Sequence, residues 1–347
     1  MTSIAQRLGA LEARPIVFGS MRIAAPAFLA PMSGVTDLGM RRAAARFGAG
    51  LVVSEMVAAS FYLAADEETR LRAEGEGLPL HVVQIAGRDP AAMAEAARLA
   101  EGAGAHAIDI NMGCPAKRVV GGYAGSALMR EPDLAVALAR ETVAAVKVPV
   151  SVKMRLGWDA ADITAPELAR RLEAEGVALI TVHGRTRQQF YKGQADWAAI
   201  RAVREAVRLP LVANGDCDGP DAARAMLEAS GSDAVMIGRA AVGQPWLVGR
   251  VGASLCGRVW REPASPEKAE AALDHYASLL STFGKEQGVR HARKHLAAYA
   301  DYAASEGAGL PRALRARLVT TPDADEAATL LARCWSEGTG ELDEEAA

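Results

Sequence analysis

The run Asn111-Met112-Gly113-Cys114-Pro115 places a thiol immediately before a proline. Proline holds its predecessor extended and delays any helix, so Cys114 is expected on a loop rather than inside an element. An unperturbed thiol has a pKa of about 8.5 and stays mostly protonated at neutral pH, which suits a general acid. The plainer reading is a small buried residue, the common fate of cysteine. Cys217, directly after Asn214-Gly215-Asp216, is the weaker rival, while Cys256 and Cys334 read as structural. Lys153 ends the run Val150-Ser151-Val152-Lys153. It could set a fixed cation beside a cofactor that becomes anionic on reduction. A lysine paired with a carboxylate at a rim, or the Schiff-base lysine of an aldolase, are the other readings. Asn214-Gly215-Asp216 and Ile237-Gly238-Arg239 each set a glycine beside a polar residue. Glycine lets backbone approach an anion closely, so these turns suit a phosphate, with Arg239 adding charge, or else are merely tight. His183, within Thr181 to Arg187, could bind the same phosphate or a sugar oxygen, or be structural.

The elements around these residues explain why they could meet. Runs rich in Val, Ile and Leu occur at Ala27 to Ala30, Leu51 to Ser54, Leu80 to Ile85, Ala107 to Ile110, Val148 to Val152, Leu179 to Val182, Leu209 to Ala213 and Ala234 to Ile237. They alternate with helical patterns such as Asp89 to Gly102, Asp133 to Val146, Ala165 to Glu175, Asp196 to Val207 and Pro220 to Glu228. That alternation predicts a parallel sheet, and eight repeats predict a (β/α)8 TIM barrel. In such a barrel, reactive groups come from the C-terminal ends of several strands. The residues there are Pro31-Met32, Glu55, Gln84, Asn111, Lys153, His183, Asn214 to Asp216 and Gly238-Arg239. Ile16 to Ile23 reads as a hairpin about Gly19-Ser20, plugging the opposite end. Pro263 and Pro266 mark a linker, and beyond it only helical spacing appears: Glu267 to Glu286, Val289 to Glu306, Arg312 to Val319 and Ala324 to Glu337. The expected layout is a catalytic barrel over 1–260, a helical domain over 266–338 and a disordered acidic tail over 339–347.

Composition narrows the class. The chain has 347 residues, a formal charge of -3 and 23% charged residues, so any nucleic-acid surface must be a local patch. The four cysteines are widely separated, with no C-x-x-C. That argues against a disulfide framework and a metal site, and fits a reducing compartment. No apolar run reaches the ~18 residues that span a bilayer, and residues 1–14 lack a secretory apolar core. The expectation is a cytoplasmic enzyme without a membrane segment.

Taken in order, Ala30 to Asp37, Asp109 to Lys117, Val152 to Gly157, His183 to Arg187, Asn214 to Asp216 and Gly238-Arg239 resemble the tRNA-dihydrouridine synthase family, most closely its bacterial B-type branch. The resemblance implies FMN at the rim. Pro31 and Met32 would lie against the isoalloxazine through their backbone, with Gln84 and Lys153 on its polar edge. His183, Asn214, Gly215, Asp216, Gly238 and Arg239 would hold the ribityl phosphate. It further implies reduction by NADPH, hydride delivery from N5 to C6 of a tRNA uridine, as in the D-loop, and protonation of C5 by Cys114. Asn111 would hydrogen-bond the uracil edge. A base must leave its stack to enter such a site while phosphate contacts hold the RNA. Lys117, Arg118, Arg185, Arg187 and Lys192 could line the mouth. Lys285, Arg290, Arg293 and Lys294, with His291 and His295 nearby, form a second basic cluster. A small-molecule FMN barrel enzyme of the dihydroorotate or dihydropyrimidine dehydrogenase type is the main rival, and the basic helical domain favours RNA over it. A non-catalytic RNA-binding barrel would need neither Lys153 nor Cys114.

Overall fold

The computed structural model describes residues 15–122 and 124–336, apart from the side chain of Arg118. The expected acidic tail lies outside the described residues. Two short strands, β1 (Ile16–Phe18) and β2 (Met21–Ile23), pair antiparallel. Eight more follow: β3 (Ala27–Leu29), β4 (Leu51–Ala58), β5 (Val82–Ala86), β6 (Ala107–Met112), β7 (Val150–Arg155), β8 (Leu179–His183), β9 (Leu211–Asn214) and β10 (Ala234–Ile237). They form a closed barrel in sequence order, and β10 pairs parallel with β3 to shut it. All eight expected strands are present. Strands β4, β6 and β7 run further than their apolar cores indicate, so Glu55, Asn111 and Lys153 are strand residues rather than residues just beyond.

Register does the positioning. Gln84 pairs with Asp109, Asn111 with Lys153, Arg155 with His183, and His183 with Asn214. Because side chains alternate along a strand, Asp109 and Asn111 share one face of β6, as Ser151, Lys153 and Arg155 share one face of β7. The outer helices pack through small residues: Pro90–Gly102 buries Ala94, Ala96, Ala97 and Ala100. Proline at the first turn starts this helix, Pro132–Ala145 and Pro220–Ser230, where its missing N–H costs no hydrogen bond. Among the described residues no helix is long and apolar enough to cross a membrane.

The hairpin buries Ile16, Phe18 and Ile23 in one cluster with Phe28, Leu51, Val82, Ala107, Leu179, Val212 and Ala234, from the first halves of the barrel strands. It therefore floors the barrel at the end away from the rim. Its turn requires Gly19, whose φ is +57° and where a Cβ would lie 2.5 Å from that of Pro149.

A second compact unit begins at Arg261 and also takes in Val242–Pro245, which leave the barrel unit before it resumes at Trp246–Trp260. Its helices are Ser265–Ser305, Arg312–Thr320 and Ala324–Arg333. Ser265–Ser305 is two helices that meet at a kink at Gly284, where φ is 74°, so the break falls slightly before the expected one. Tyr276 Oη donates to the Ala324 carbonyl at 3.2 Å, and Tyr299 Oη meets His275 Nδ1 at 3.0 Å. Lys268 ties the linker to the long helix through Glu262 at 3.2 Å and Glu306.

If the hairpin is the floor, Phe18→Ala should cost about 3–5 kcal/mol, the usual range for emptying a buried phenylalanine site. Urea unfolding followed by tryptophan fluorescence measures this. An unshifted midpoint would mean that the floor is supplied elsewhere.

Candidate active site

One buried carboxylate sets the direction of a hydrogen-bond chain across β5, β6 and β7. Asp109 Oδ1 accepts from Ser151 Oγ at 2.6 Å, and Oδ2 accepts from Gln84 Nε2 at 2.6 Å. Gln84 Oε1 must then be the acceptor for Asn111 Nδ2, at 2.8 Å. That leaves Asn111 Oδ1 to accept the N–H groups of Gly113 at 3.1 Å and Cys114 at 2.9 Å. Carboxamides can usually be flipped without notice, but here each is fixed by the acid behind it. Burial raises the Asp109 carboxyl above its usual range, against the opposing pull of Gln84, Ser151 and Lys153.

The Cys114 loop is held from its other side as well. The Cys114 carbonyl accepts from Ser126 N at 3.1 Å and from Ser126 Oγ at 2.9 Å. Close by, Gly125 has φ +60°, and a side chain there would come within 2.8 Å of that carbonyl. Cys114 itself is half-buried, and its Sγ makes no hydrogen bond among the described residues. The rival Cys217 is buried, and burial pushes its thiol up to about 12. Only Cys114 is both positioned and reachable.

Lys153 makes no hydrogen bond or ion pair among the described residues. Burial lowers its ammonium to about 8, and Arg155 pushes the same way, against Asp109 and Cys114. Arg155, 2% exposed, clamps two loops, donating at 2.8 Å to the carbonyl of Gly113 after β6 and to those of Thr186 and Phe190 after β8. Burial first, then Lys153 and the neighbouring arginines, holds His183 well below its usual range, so it is neutral. Its Nε2 lies 3.2 Å from Arg185 Nη1. Arginine can only donate, so Nε2 accepts and Nδ1 carries the proton.

Arg185 corrects the sequence reading. It was expected to face substrate at the mouth, yet it is 1% exposed. Its nitrogens are engaged by Asp216 at 2.6 and 3.0 Å, Gly193 O at 2.6 Å, Lys192 O at 3.2 Å and His183. No donor remains for a ligand. Asp216 is the other half of this clamp: burial works to raise its carboxyl, and the bonds from Arg185 and Ala195 outweigh that and hold it low. An anion at this turn can meet the Asp216 backbone but not its side chain. Asn214 is likewise bracing, since Nδ2 donates to Met236 O at 2.8 Å. The Met32 N–H and carbonyl both close on Thr36, so Met32 offers contact rather than hydrogen bonds.

The two glycine turns differ. Gly215 is required by the protein, with φ +118° and a Cβ that would meet Ala195 at 2.7 Å and His183 at 2.9 Å. At Gly238 the φ is ordinary, and a Cβ would meet nothing nearer than Met32 Sδ at 3.6 Å. Neither strain nor packing explains that glycine, and the open backbone beside it suits a close-approaching phosphate. Arg239 follows with its side chain 66% exposed and 3.5 Å from Asp216. Pro31 is half-buried, and Lys117 is exposed at the start of Lys117–Gly121.

In the second unit Arg290, Arg293 and Lys294 are exposed, with Arg290 paired to Glu286 at 2.8 Å. His295 does not join them. It is buried against His275, ring centroids 4.5 Å apart.

Residues 28–328 match the family described as dihydrouridine synthase (Dus). A probable tRNA-dihydrouridine synthase of Rhizobium leguminosarum bv. phaseoli is 51% identical over 306 residues, covering 85% of this chain and 95% of that protein. One of Rhodobacter capsulatus is 48% identical over 326 residues, covering 93% and 98%. The tRNA-dihydrouridine synthase B of Xanthomonas axonopodis pv. citri is 46% identical over 285 residues, covering 81% and 86%. Among solved structures, histamine dehydrogenase from Rhizobium sp. 4-9 superposes with a TM-score of 0.55 at 13% identity, over 78% of this chain and 51% of that one. A 2-naphthoyl-CoA reductase complex gives 0.55 at 14%, over 72% and 53%. This chain spans about half of each, and at such identities the likeness concerns the barrel fold alone.

Lys153 gives a pH test. Lowered from 10.5 to about 8, it holds its proton less firmly folded than unfolded. Between those values the unfolded chain carries more protons, so stability rises with pH. In ligand-stripped protein, Lys153→Met should therefore be more stable than wild type at pH 7, by at most about 3 kcal/mol. The gap should close as pH rises from about 8 to 10.5. Urea titrations along this series check it, and a gap independent of pH would show that Lys153 carries no buried charge.

Proposed function

The chain belongs to the dihydrouridine synthase family, and from that premise we propose that it reduces the C5=C6 bond of uridines in the tRNA D-loop, using FMN and taking its electrons from NADPH. The observation that carries the reading is the union, on one rim, of an unpaired lysine, a glycine turn open to phosphate and a thiol held by a directed hydrogen-bond chain. A barrel that only bound RNA would need neither Lys153 nor Cys114.

The residues present fit FMN. The backbone at Gly238, the Gly215-Asp216 turn, Arg239 and the Nδ1–H of neutral His183 offer donors to its phosphate and ribityl chain. Lys153 offers a cation to the edge of the ring that gains charge, with Gln84 beside it, and Pro31 and Met32 supply contact surface. When bound, FMN supplies the hydride that saturates C6. The chain's own contribution is the second half of the addition: Cys114 gives its proton to C5, where the electron pair develops. Asn111 has one Nδ2 hydrogen left after Gln84 takes the other, enough to donate to one uracil carbonyl. Because the same carboxamide holds the Cys114 N–H, the uracil contact and the proton donor move as one body. Lys117 at the mouth and the exposed Arg290, Arg293 and Lys294 supply backbone contacts to RNA, and such a reaction belongs in the cytoplasm.

Incubating the protein with NADPH and an unmodified tRNA transcript should yield dihydrouridine on nucleoside mass spectrometry. Cys114→Ala should slow reoxidation of the reduced enzyme by tRNA about 10²–10⁴-fold, the usual worth of a general acid, whereas Cys217→Ala should reoxidise at the wild-type rate. Absence of dihydrouridine despite turnover of NADPH would refute the substrate, and a normal Cys114→Ala trace in stopped flow would refute the proton donor.

A further inference from the structure

Three rim segments, following β6, β7 and β8, are tied together around Trp158. Thr164 Oγ1 donates to Met129 O at 3.1 Å. The N–H groups of Arg187 and Gln188 donate to the carbonyls of Gly157 at 3.0 Å and Trp158 at 2.9 Å. The turn into Trp158 is tight, because a Cβ on Gly157 would fall 1.9 Å from Asp162 O. Onto this fixed indole come two guanidinium carbons, those of Arg130 and Arg187, each 4.7 Å from the ring centroid. Twice that distance bounds their separation at 9.4 Å.

Neither guanidinium meets a carboxylate or a hydrogen-bond acceptor among the described residues. The neighbouring acids are taken: Glu131 pairs with Arg88 at 3.7 Å, and Asp159 accepts from Gln188 and Ala161. Elsewhere on the barrel arginines do find carboxylates, as Arg140 with Glu175, Arg171 with Asp133 and Arg204 with Asp233, at 2.7 to 2.8 Å. Arg187 Nε is moreover buried with no partner. The indole holds Arg130, and Trp158 and Phe190 both hold Arg187, at 4.7 Å from each centroid, but the two like charges repel and one buried N–H stays unanswered. An anion relieves both, and the planar donor fork of arginine matches phosphate.

We propose that Arg130, Trp158 and Arg187 form a clamp for a phosphodiester of the substrate RNA, a site that rests on the reading of tRNA as substrate. The clamp and the acid are linked mechanically. Arg155 bonds Gly113 O, next to Cys114, as well as Thr186 O and Phe190 O, on either side of the Arg187 segment. A phosphate seated on the indole is thereby fixed relative to the thiol, which positions the nucleotide as well as holding it. The nicotinamide reductant also carries phosphates, and the test separates the two sources.

The test is the salt dependence of tRNA affinity for wild type and R130Q/R187Q, with the KM for NADPH measured alongside. The double variant should flatten the slope of log K against log salt by about 0.7–0.9, the loss of one phosphate contact, and bind tRNA several-fold more weakly at physiological salt. W158L should weaken binding with both charges in place, and W158F should restore it. Should the double variant not fold, R130Q alone, altered at an exposed side chain, must still lower tRNA affinity. A wild-type slope in the folded double variant overturns the clamp, as does a raised KM for NADPH with tRNA affinity kept. Wild type that makes no dihydrouridine would fail the functional reading itself, whereas wild type that makes it beside an unaltered double variant fails the clamp alone.

Discussion

The rim depends on the direction of one set of hydrogen bonds. Asp109 accepts from Gln84 and Ser151, so Gln84 presents its amide hydrogen to the acid and its oxygen to Asn111, and Asn111 presents its own oxygen to the backbone of Gly113 and Cys114, whose N–H groups can only donate. Reversing any member would set two donors or two acceptors face to face in a buried place, where an unsatisfied polar group costs about 1–3 kcal/mol. The loop that carries the thiol is thus held from inside the barrel by β5, β6 and β7, and from outside by Ser126.

The arginines divide by what they touch. Arg155 and Arg185 are buried, and their donors go to backbone carbonyls and to Asp216, so they hold loops and leave nothing for a ligand. Lys153, Arg130 and Arg187 have no acceptor among the described residues, and Arg239 has only a long contact to Asp216. The charge open to a ligand therefore lies on residues that look no different in sequence from the ones that hold the loops. Burying two guanidiniums is tolerable only because each is answered, Arg185 by a carboxylate and both by carbonyls.

That difference explains what could be read in advance. The eight strands, the hairpin and the glycine turns follow from period, branching and punctuation, which are local signals, and the structure has each of them. Arg185 was misread because its partner Asp216 stands 31 positions further on, and proximity across a barrel is invisible in a linear pattern. Asp109 and Ser151 were passed over because the reading looked beyond the ends of strands rather than inside them. A signal was present: Asp109 alternates with Asn111 on one strand, as Ser151 does with Lys153 on the next, so both acid and hydroxyl had to face inward with the site. Val242–Pro245, which belong with the helical unit, carry the turn marks Gly243 and Pro245, but nothing local says which unit they join.

The placement of Cys114 depends most directly on the Asp109 anchor. The decisive measurement is the rate at which tRNA reoxidises the reduced enzyme in Asp109→Asn, which keeps shape but frees Gln84 to turn. If the chain places Cys114, the rate should fall about 10²-fold, as a displacement of about 1 Å can cost, with the protein still folded and still binding tRNA. Reoxidation at the wild-type rate would contradict the claim that this carboxylate sets the geometry of the proton donor.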